Sequence, residues 1–250
     1  MAYHAQFETS LGTMLLRSDG KHLTGLFFTG QKDCPSLPGL PPARPESRDP
    51  TAGLMAGRPI KSIRVGTRQG ELRLDDEAPE GSVPPEGDAA VPRPAIPPGA
   101  ELLLMQDDTP AEAIALFRAA MAELGEYFSG QRRVFGIPLK LEGSAFQQAV
   151  WRALLAIPYG SHVSYSDVAV AAGMSARHVR AVGSAVGRNP VSIIVPCHRV
   201  LSSAGTLNGY TGGLDRKYAL LRLEGVLGPV DAKKQASPAP ASGGVRAPNP

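Results

Sequence analysis

Residues 164–200 read SYSDVAVAAGMSARHVRAVGSAVGRNPVSIIVPCHRV, and how this stretch is parsed decides the fold. Ser164 to Ala172 carries a short helix pattern, Gly173 interrupts it, and Ser175 stands where it can cap a second helix through Gly187. A serine just before such a run offers its hydroxyl to backbone N–H groups that the first helical turn leaves unpaired. Helix, glycine-containing turn, helix is the layout of a helix-turn-helix. In the second helix Val179, Val182 and Val186 are expected on the inner face, one helical repeat apart. Arg177, Arg180, Ala181, Ser184 and Arg188 group on the other side. That outer face is basic but otherwise small, which permits close approach of a partner surface; an ordinary exposed helix face would read the same way. Beyond it, Val191 to Val195 is an apolar, β-branched run that reads as a buried strand or extended segment. It delivers Pro196-Cys197-His198-Arg199 at its end.

Upstream, Thr109-Pro110-Ala111-Glu112 is a capping-box pattern with Pro at the first helical position, and Ile114, Phe117, Met121, Leu124 and Phe128 recur at helical spacing until Gly130. Ser144-Ala145-Phe146-Gln147 is a second capping box, predicting a helix with Phe146, Val150, Trp151, Leu154 and Leu155 inward and a stop at Pro158-Tyr159-Gly160. At the N-terminus, Gly12 to Arg17 and Leu23 to Phe28 are strand-like runs separated by the turn signal Ser18-Asp19-Gly20. Between these regions the character changes. Fourteen of the 24 prolines lie from Pro35 to Pro98, and each removes a donor and restricts the residue before it. Residues 35–100 therefore read as a largely irregular insertion, with a possible hairpin at 60–74. Residues 229–250 read as a disordered tail. The expected chain is α/β (α+β). A small N-terminal antiparallel sheet domain occupies 1–34 and continues to about 108 through the insertion. A C-terminal helical domain over 109–228 carries a winged-helix-like helix-turn-helix and the informative cysteine.

The chain has 250 residues and a formal net charge of +3, which its segments share unequally. Residues 35–110 carry 8 basic and 12 acidic groups, residues 111–228 carry 12 basic and 7 acidic, so the positive field lies on the helical part. No apolar run reaches membrane-spanning length, and the first ten residues lack the basic flank and apolar core of a signal peptide. Two cysteines, Cys34 and Cys197, are too few for a disulfide framework or a Cys-rich zinc site. A cytoplasmic protein with reduced thiols is the expectation.

An isolated core cysteine is often only a small apolar group. Cys197, however, has His198 beside it, Pro196 before it and Arg199 after it. The thiolate is the reactive form, and nearby positive charge favours it. A histidine base needs in turn a carboxylate to orient it. After the cysteine the candidates are Asp215, Glu224 and Asp231. Glu224 lies near the end of an apolar helix, against the dipole preference, which singles it out without deciding between a task and a surface charge. Third and fourth ligands for a metal at Cys197 and His198 are not found at plausible spacing.

Pro196-Cys197-His198-Arg199-Val200, preceded by Gly187-Arg188-Asn189-Pro190, closely resembles the active site of the O6-alkylguanine-DNA alkyltransferases, the methylated-DNA–protein-cysteine methyltransferases. The resemblance spans about 109–228 and includes Phe146 to Gly160, Val163-Ser164-Tyr165, Arg180-Ala181-Val182-Gly183, Gly209-Tyr210-Thr211-Gly212-Gly213-Leu214, Lys217 and Glu224-Gly225. A weaker match covers Leu26 to Lys32. It implies a single-use DNA repair enzyme without cofactor, acting as a monomer on double-stranded DNA containing O6-alkylguanine. Cys197 would be nucleophile and permanent alkyl acceptor, His198 its base through a water, Glu224 the group orienting the imidazole, and Asn189 the brace of the active-site turn. Tyr165 would serve the leaving guanine and Thr211 would reach the base oxygen. Arg180 would fill the gap left by a flipped nucleotide, with Ala181 and Ser184 allowing the helix into the minor groove. Arg188 and Arg199 would add contacts to DNA. The alternatives are a lesion-binding protein without catalysis and a plain helix-turn-helix regulator. The former resembles relatives that replace the cysteine; the latter has no need of Pro-Cys-His-Arg. Two departures stand out. The turn at 173–179 is about one residue longer than in familiar relatives, and Ser192 stands where some have Pro lining the alkyl pocket.

Overall fold

Short apolar runs at the N-terminus pair into a sheet, and one edge of that sheet grips the segment bearing the cysteine. The computed structural model describes residues 1–37 and 93–227. Strands β1 (Tyr3–Phe7), β2 (Met14–Ser18), β3 (Leu23–Phe28) and β4 (Leu103–Leu104) form one antiparallel sheet in the order β3-β2-β1-β4. The β2–β3 turn sits where Ser18-Asp19-Gly20 predicted it. Asp19 Oδ1 accepts from the N–H groups of Lys21 and His22, a side chain replacing a backbone turn partner. Gly20 takes φ +104°, a conformation that costs other residues dearly. Strand β2 starts at Met14 rather than Gly12, because Gly12, at φ +106°, belongs to the preceding turn. The pattern reading missed β1 and β4. His4 and Gln6 obscure the apolar content of β1, and the two residues of β4 are both exposed. The possible hairpin at 60–74, most of the insertion and the tail from 229 lie outside the described residues.

Helix α1 (Ala111–Phe128) buries Ala113, Leu116, Phe117, Ala120, Leu124, Tyr127 and Phe128. Ile114 and Met121, expected inward, are only half-buried. The expected capping box does not form: Thr109 donates its hydroxyl to the Gln106 carbonyl at 2.7 Å, and Pro110 is the cap residue. Helix α2 (Ala145–Leu155) has its capping box, Ser144 and Gln147 exchanging hydrogen bonds with each other's backbone. It buries Val150, Trp151, Ala153 and Leu154 and leaves Leu155 exposed. Trp151 donates its indole N–H to Ala185 O at 2.9 Å, so it is a core residue pinning the later helix.

Strand β5 (Val163–Ser164) leads into α3 (Tyr165–Ala171), which opens on a second capping box, Ser164 with Asp167. Gly173 turns the chain at φ +75°, Ser175 caps a single 3₁₀ turn (Ala176–His178), and α4 (Val179–Gly187) follows. The helix-turn-helix is therefore present, but its second helix begins with a tighter turn than expected. The change of winding moves Val179 out of the core, to 38% exposed, and brings Ala185 in beside Val182 and Val186. After the cysteine segment, β6 (Val200–Leu201) pairs in parallel with β5, and α5 (Leu214–Leu223) completes the described chain. Among the described residues, no helix is long and apolar enough to cross a membrane.

Candidate active site

The run Val191 to Val195 is not a strand. Its one sheet-like link is a bridge from Val191 to Leu26 of β3. Beyond that it folds into a turn in which Val195 N–H returns to Val191 O at 3.0 Å and Ile194 N–H to Ser192 O at 2.8 Å. Ile193 sits at φ +70°, where a β-branched residue costs about 1–3 kcal/mol. Asn189 holds the strained turn from inside. Its amide donates to Val195 O at 2.7 Å and Val191 O at 3.3 Å, and its own oxygen accepts from Val191 N–H at 3.0 Å. The same amide nitrogen lies 3.1 Å from Cys197 Sγ. From outside, Leu26 N–H donates to Pro190 O at 2.9 Å and Ser192 N–H to Leu26 O at 2.8 Å. The sheet edge thus continues into the cysteine turn.

Cys197, His198 and Arg199 form one 3₁₀ turn, all buried. His198 Nε2 lies 2.9 Å from Glu224 Oε1. A carboxylate only accepts, so this nitrogen carries the proton. Nδ1 is then the lone-pair nitrogen, buried and, among the described residues, without a hydrogen-bond partner. Burial, which Glu224 only partly offsets, pushes the His198 pKa below its ordinary value, so the ring rests neutral. Burial also raises the Cys197 thiol, with the Asn189 amide and the Lys217 ammonium pulling it partly back. The resting pair is thus a thiol and a neutral imidazole.

Glu224 is the C-cap residue of α5 and is 5% exposed. Burial alone would raise its pKa, but the charge of Arg199 and the His198 contact outweigh that and hold the carboxyl well below the usual range. Arg199 donates from Nε to Oε2 and from a terminal nitrogen to Oε1, both at 2.9 Å, and from the other to Ile157 O at 2.5 Å. This corrects the sequence expectation for Arg199. It does not lie on a DNA-facing surface; the Glu224 carboxylate and the end of α2 draw it into the interior.

Tyr165 lies between Gly183 of α4 and Gly209, whose missing side chains leave room for its ring and hydroxyl. Burial, then Cys197, raises its pKa to about 12, so it remains a proton donor close to the sulfur. Thr211 is half-buried and adjacent to Gly187 at the end of α4. Arg177, Arg180, Ala181, Ser184 and Arg188 are all exposed on the 3₁₀ turn, α4 and its C-cap. Cysteine, histidine, glutamate and asparagine therefore come together, with the tyrosine beside them and the basic helix face outside.

Two buried groups at the site were not assigned a task from the sequence. Lys217 is fully buried, donates to Val200 O at 2.5 Å and Asn208 O at 2.9 Å, and has its pKa lowered to about 8 by burial against the opposing pull of Cys197. Tyr127 of α1 donates to Glu224 Oε1 at 2.6 Å across 97 residues. Its helical spacing reads as core, and nothing local in the sequence signals the bond. Among the described residues no group of three or more His, Cys, Asp or Glu could hold a metal ion.

The family profile described as 6-O-methylguanine DNA methyltransferase, DNA binding domain, matches residues 145–226. The chain is 53% identical over 108 residues to the methylated-DNA–protein-cysteine methyltransferase of Mycolicibacterium paratuberculosis, covering 43% of this chain and 65% of that one. The Mycobacterium tuberculosis protein of the same name is 50% identical over 115 residues, covering 46% of this chain and 69% of that one. The chain belongs to the methylated-DNA–protein-cysteine methyltransferase family. The match thus spans about two thirds of these relatives' length. A solved methyltransferase, the M. tuberculosis OGT in complex with DNA, superposes with a TM-score of 0.53 at 30% identity, covering 90% of this chain and 96% of that one. The methyltransferase resemblance therefore extends to the fold, N-terminal sheet included.

Proposed function

We propose that this protein repairs DNA by direct reversal, moving an alkyl group from the O6 oxygen of guanine in double-stranded DNA to Cys197. The observation that carries the reading is a buried cysteine held by Asn189 beside a neutral histidine. That histidine has one nitrogen engaged by a carboxylate, which leaves the lone pair on the other to accept a proton. His198 Nδ1 takes the thiol proton through a water. The thiolate then attacks the alkyl carbon, the S–C bond forms as the C–O bond breaks, and the electron pair leaves on guanine. Tyr165 donates to the departing base, and Thr211 reaches its oxygen. The resulting thioether is a poor leaving group, so each molecule acts once.

A sulfur this deeply buried meets a base only after the base leaves the duplex. Arg180 fills the vacated position, while Ala181 and Ser184 let α4 approach the minor groove closely, unlike the usual major-groove docking of this motif. Arg177 and Arg188 contribute phosphate attraction independent of sequence. The protein acts as a monomer in the cytoplasm, with residues 109–228 as the transfer and DNA-binding unit. A pure lesion binder or a transcriptional regulator would not need the cysteine. Cys197→Ala is therefore expected to abolish methyl transfer from O6-methylguanine duplex while duplex binding in a mobility-shift assay persists. Full transfer by that variant refutes the mechanism.

A further inference from the structure

The carboxylate behind His198 is shared, and one of its partners, Tyr127, lies outside residues 145–226 that the family profile matches. Glu224 Oε1 accepts from three donors, His198 Nε2, Arg199 and the Tyr127 hydroxyl, while Oε2 accepts from Arg199 and faces the Gly160 N–H at 3.5 Å. Tyr127 and Glu224 are both buried, so this bond is made without competition from water. Its 2.6 Å length is that of a strong O–H···O⁻ bond. The ring is seated by Phe128, Phe135 and Tyr159 at 5.4–6.0 Å between centroids, so its hydroxyl is aimed rather than free to wander.

We propose that Tyr127 is a positioning residue that sets the basicity of His198 through Glu224. The proposal rests on the alkyl-transfer reading for its purpose, though not for its physical content. Tyr127 and His198 donate to the same carboxylate oxygen, so they compete for its charge. The more of that charge the phenol takes, the less remains to stabilise an imidazolium. Tyr127 thus keeps the ring neutral, with Nδ1 vacant for the thiol proton at working pH. The donor stays protonated throughout, because burial and the adjacent Glu224 push its own pKa well above the ordinary value. The other charged or titratable groups facing this pair are Arg199 and Cys197 in the same 3₁₀ turn, Lys217 of α5 and Tyr159 after α2, with Arg133 and Arg93 around the Tyr159 ring. Beside His198 itself, the described side chains that bond the carboxylate include Arg199, which brings a charge, and Tyr127, which brings none.

The test is the ¹⁵N titration of the His198 ring in the full chain, wild type against Tyr127→Phe, alongside the pH profile of single-turnover methyl transfer. Phe keeps the ring and removes only the donor. The imidazole midpoint is expected to rise by about one pH unit, a tenfold change in proton affinity. The acid limb of transfer should rise with it, while the high-pH plateau is kept. An unmoved midpoint overturns the proposal. So does a rate lowered equally at every pH, which is what loosened packing would give. Tyr159→Phe is the control: the Tyr159 hydroxyl donates to the Leu223 carbonyl at 3.1 Å rather than to the carboxylate, and an equal shift there also overturns the proposal. If Tyr127→Phe fails to fold, 3-fluorotyrosine at 127, a stronger donor, must lower the midpoint; a rise or no change contradicts the proposal. Should the wild type transfer no methyl group, the functional reading falls and the ring titration still decides this one.

Discussion

At the scale of single residues, Arg199 and Glu224 show how a charge pair inside a protein differs from one on its surface. Exposed pairs contribute little, whereas removing one partner of a buried pair leaves an uncompensated charge at about 3–5 kcal/mol. Arg199 is 6% exposed and makes two of its three side-chain bonds to Glu224. Arg199→Met is therefore expected to destabilise the fold by about 3–5 kcal/mol at pH 7 in urea unfolding. Glu224 and His198 both have folded pKa values depressed below their ordinary 4.5 and 6.5. The stability they contribute is present above those values and is lost as pH falls below them, because the unfolded chain then binds more protons. Wild-type stability should accordingly start to fall below about pH 6.5 and fall further below about 4.5. The deficit of Arg199→Met should narrow over the acid range, where an unpaired Glu224 takes up its proton. A deficit that stays constant down to pH 4 would contradict the assigned pairing. Sequence adjacency puts Cys197 and His198 in one 3₁₀ turn. It misled for Arg199, whose partner lies 25 residues away.

Among the elements, the caps were the most readable part. Ser144 and Ser175 each accept from a backbone N–H within three residues, so the information is local and the pattern suffices; the capping box of Ser164 with Asp167 is equally local but was not singled out. Thr109 failed because a carbonyl three residues back competed for its hydroxyl. The Val191–Val195 turn could not be read, since β-branched residues favour strands and the turn, with its positive φ at Ile193, is held by the Asn189 side chain from inside and by Leu26 of β3 from outside. Helix α4 carries the prediction that belongs at this scale. Arg180 is exposed on it, outside the buried cluster of Cys197, His198 and Glu224. Arg180→Ala should therefore slow repair of O6-methylguanine in duplex tenfold or more, the cost of about 1.4 kcal/mol of lost stabilisation of the extruded base, while attack on the free modified base changes little. Equal losses on both substrates would count against a role in base extrusion.

In the molecule as a whole, the sheet is part of the active site's support. β3 bonds the 190–192 segment through Leu26 and the 138–140 segment through Leu23. Arg216 of α5 reaches the β1–β2 turn at Leu11 O, 2.7 Å, while donating to Gly212 O at 2.7 Å and lying 4.3 Å from the Phe28 ring. One apolar core runs from Ala5 and Phe7 through Trp151 to Leu223, so the cysteine turn is fixed from two sides. The sequence shows β2 and β3 but not this docking, which depends on contacts across more than a hundred residues. Such rigidity suits a protein whose sulfur is to react once, in one geometry, and then stay occupied. The most direct test of that is intact-protein mass spectrometry after incubation with a duplex containing O6-methylguanine. The account predicts a gain of one methylene unit per molecule, located on the peptide bearing Cys197 and stable to prolonged incubation. An unchanged mass while the lesion disappears from the DNA, or a methyl group located on Cys34, would contradict it.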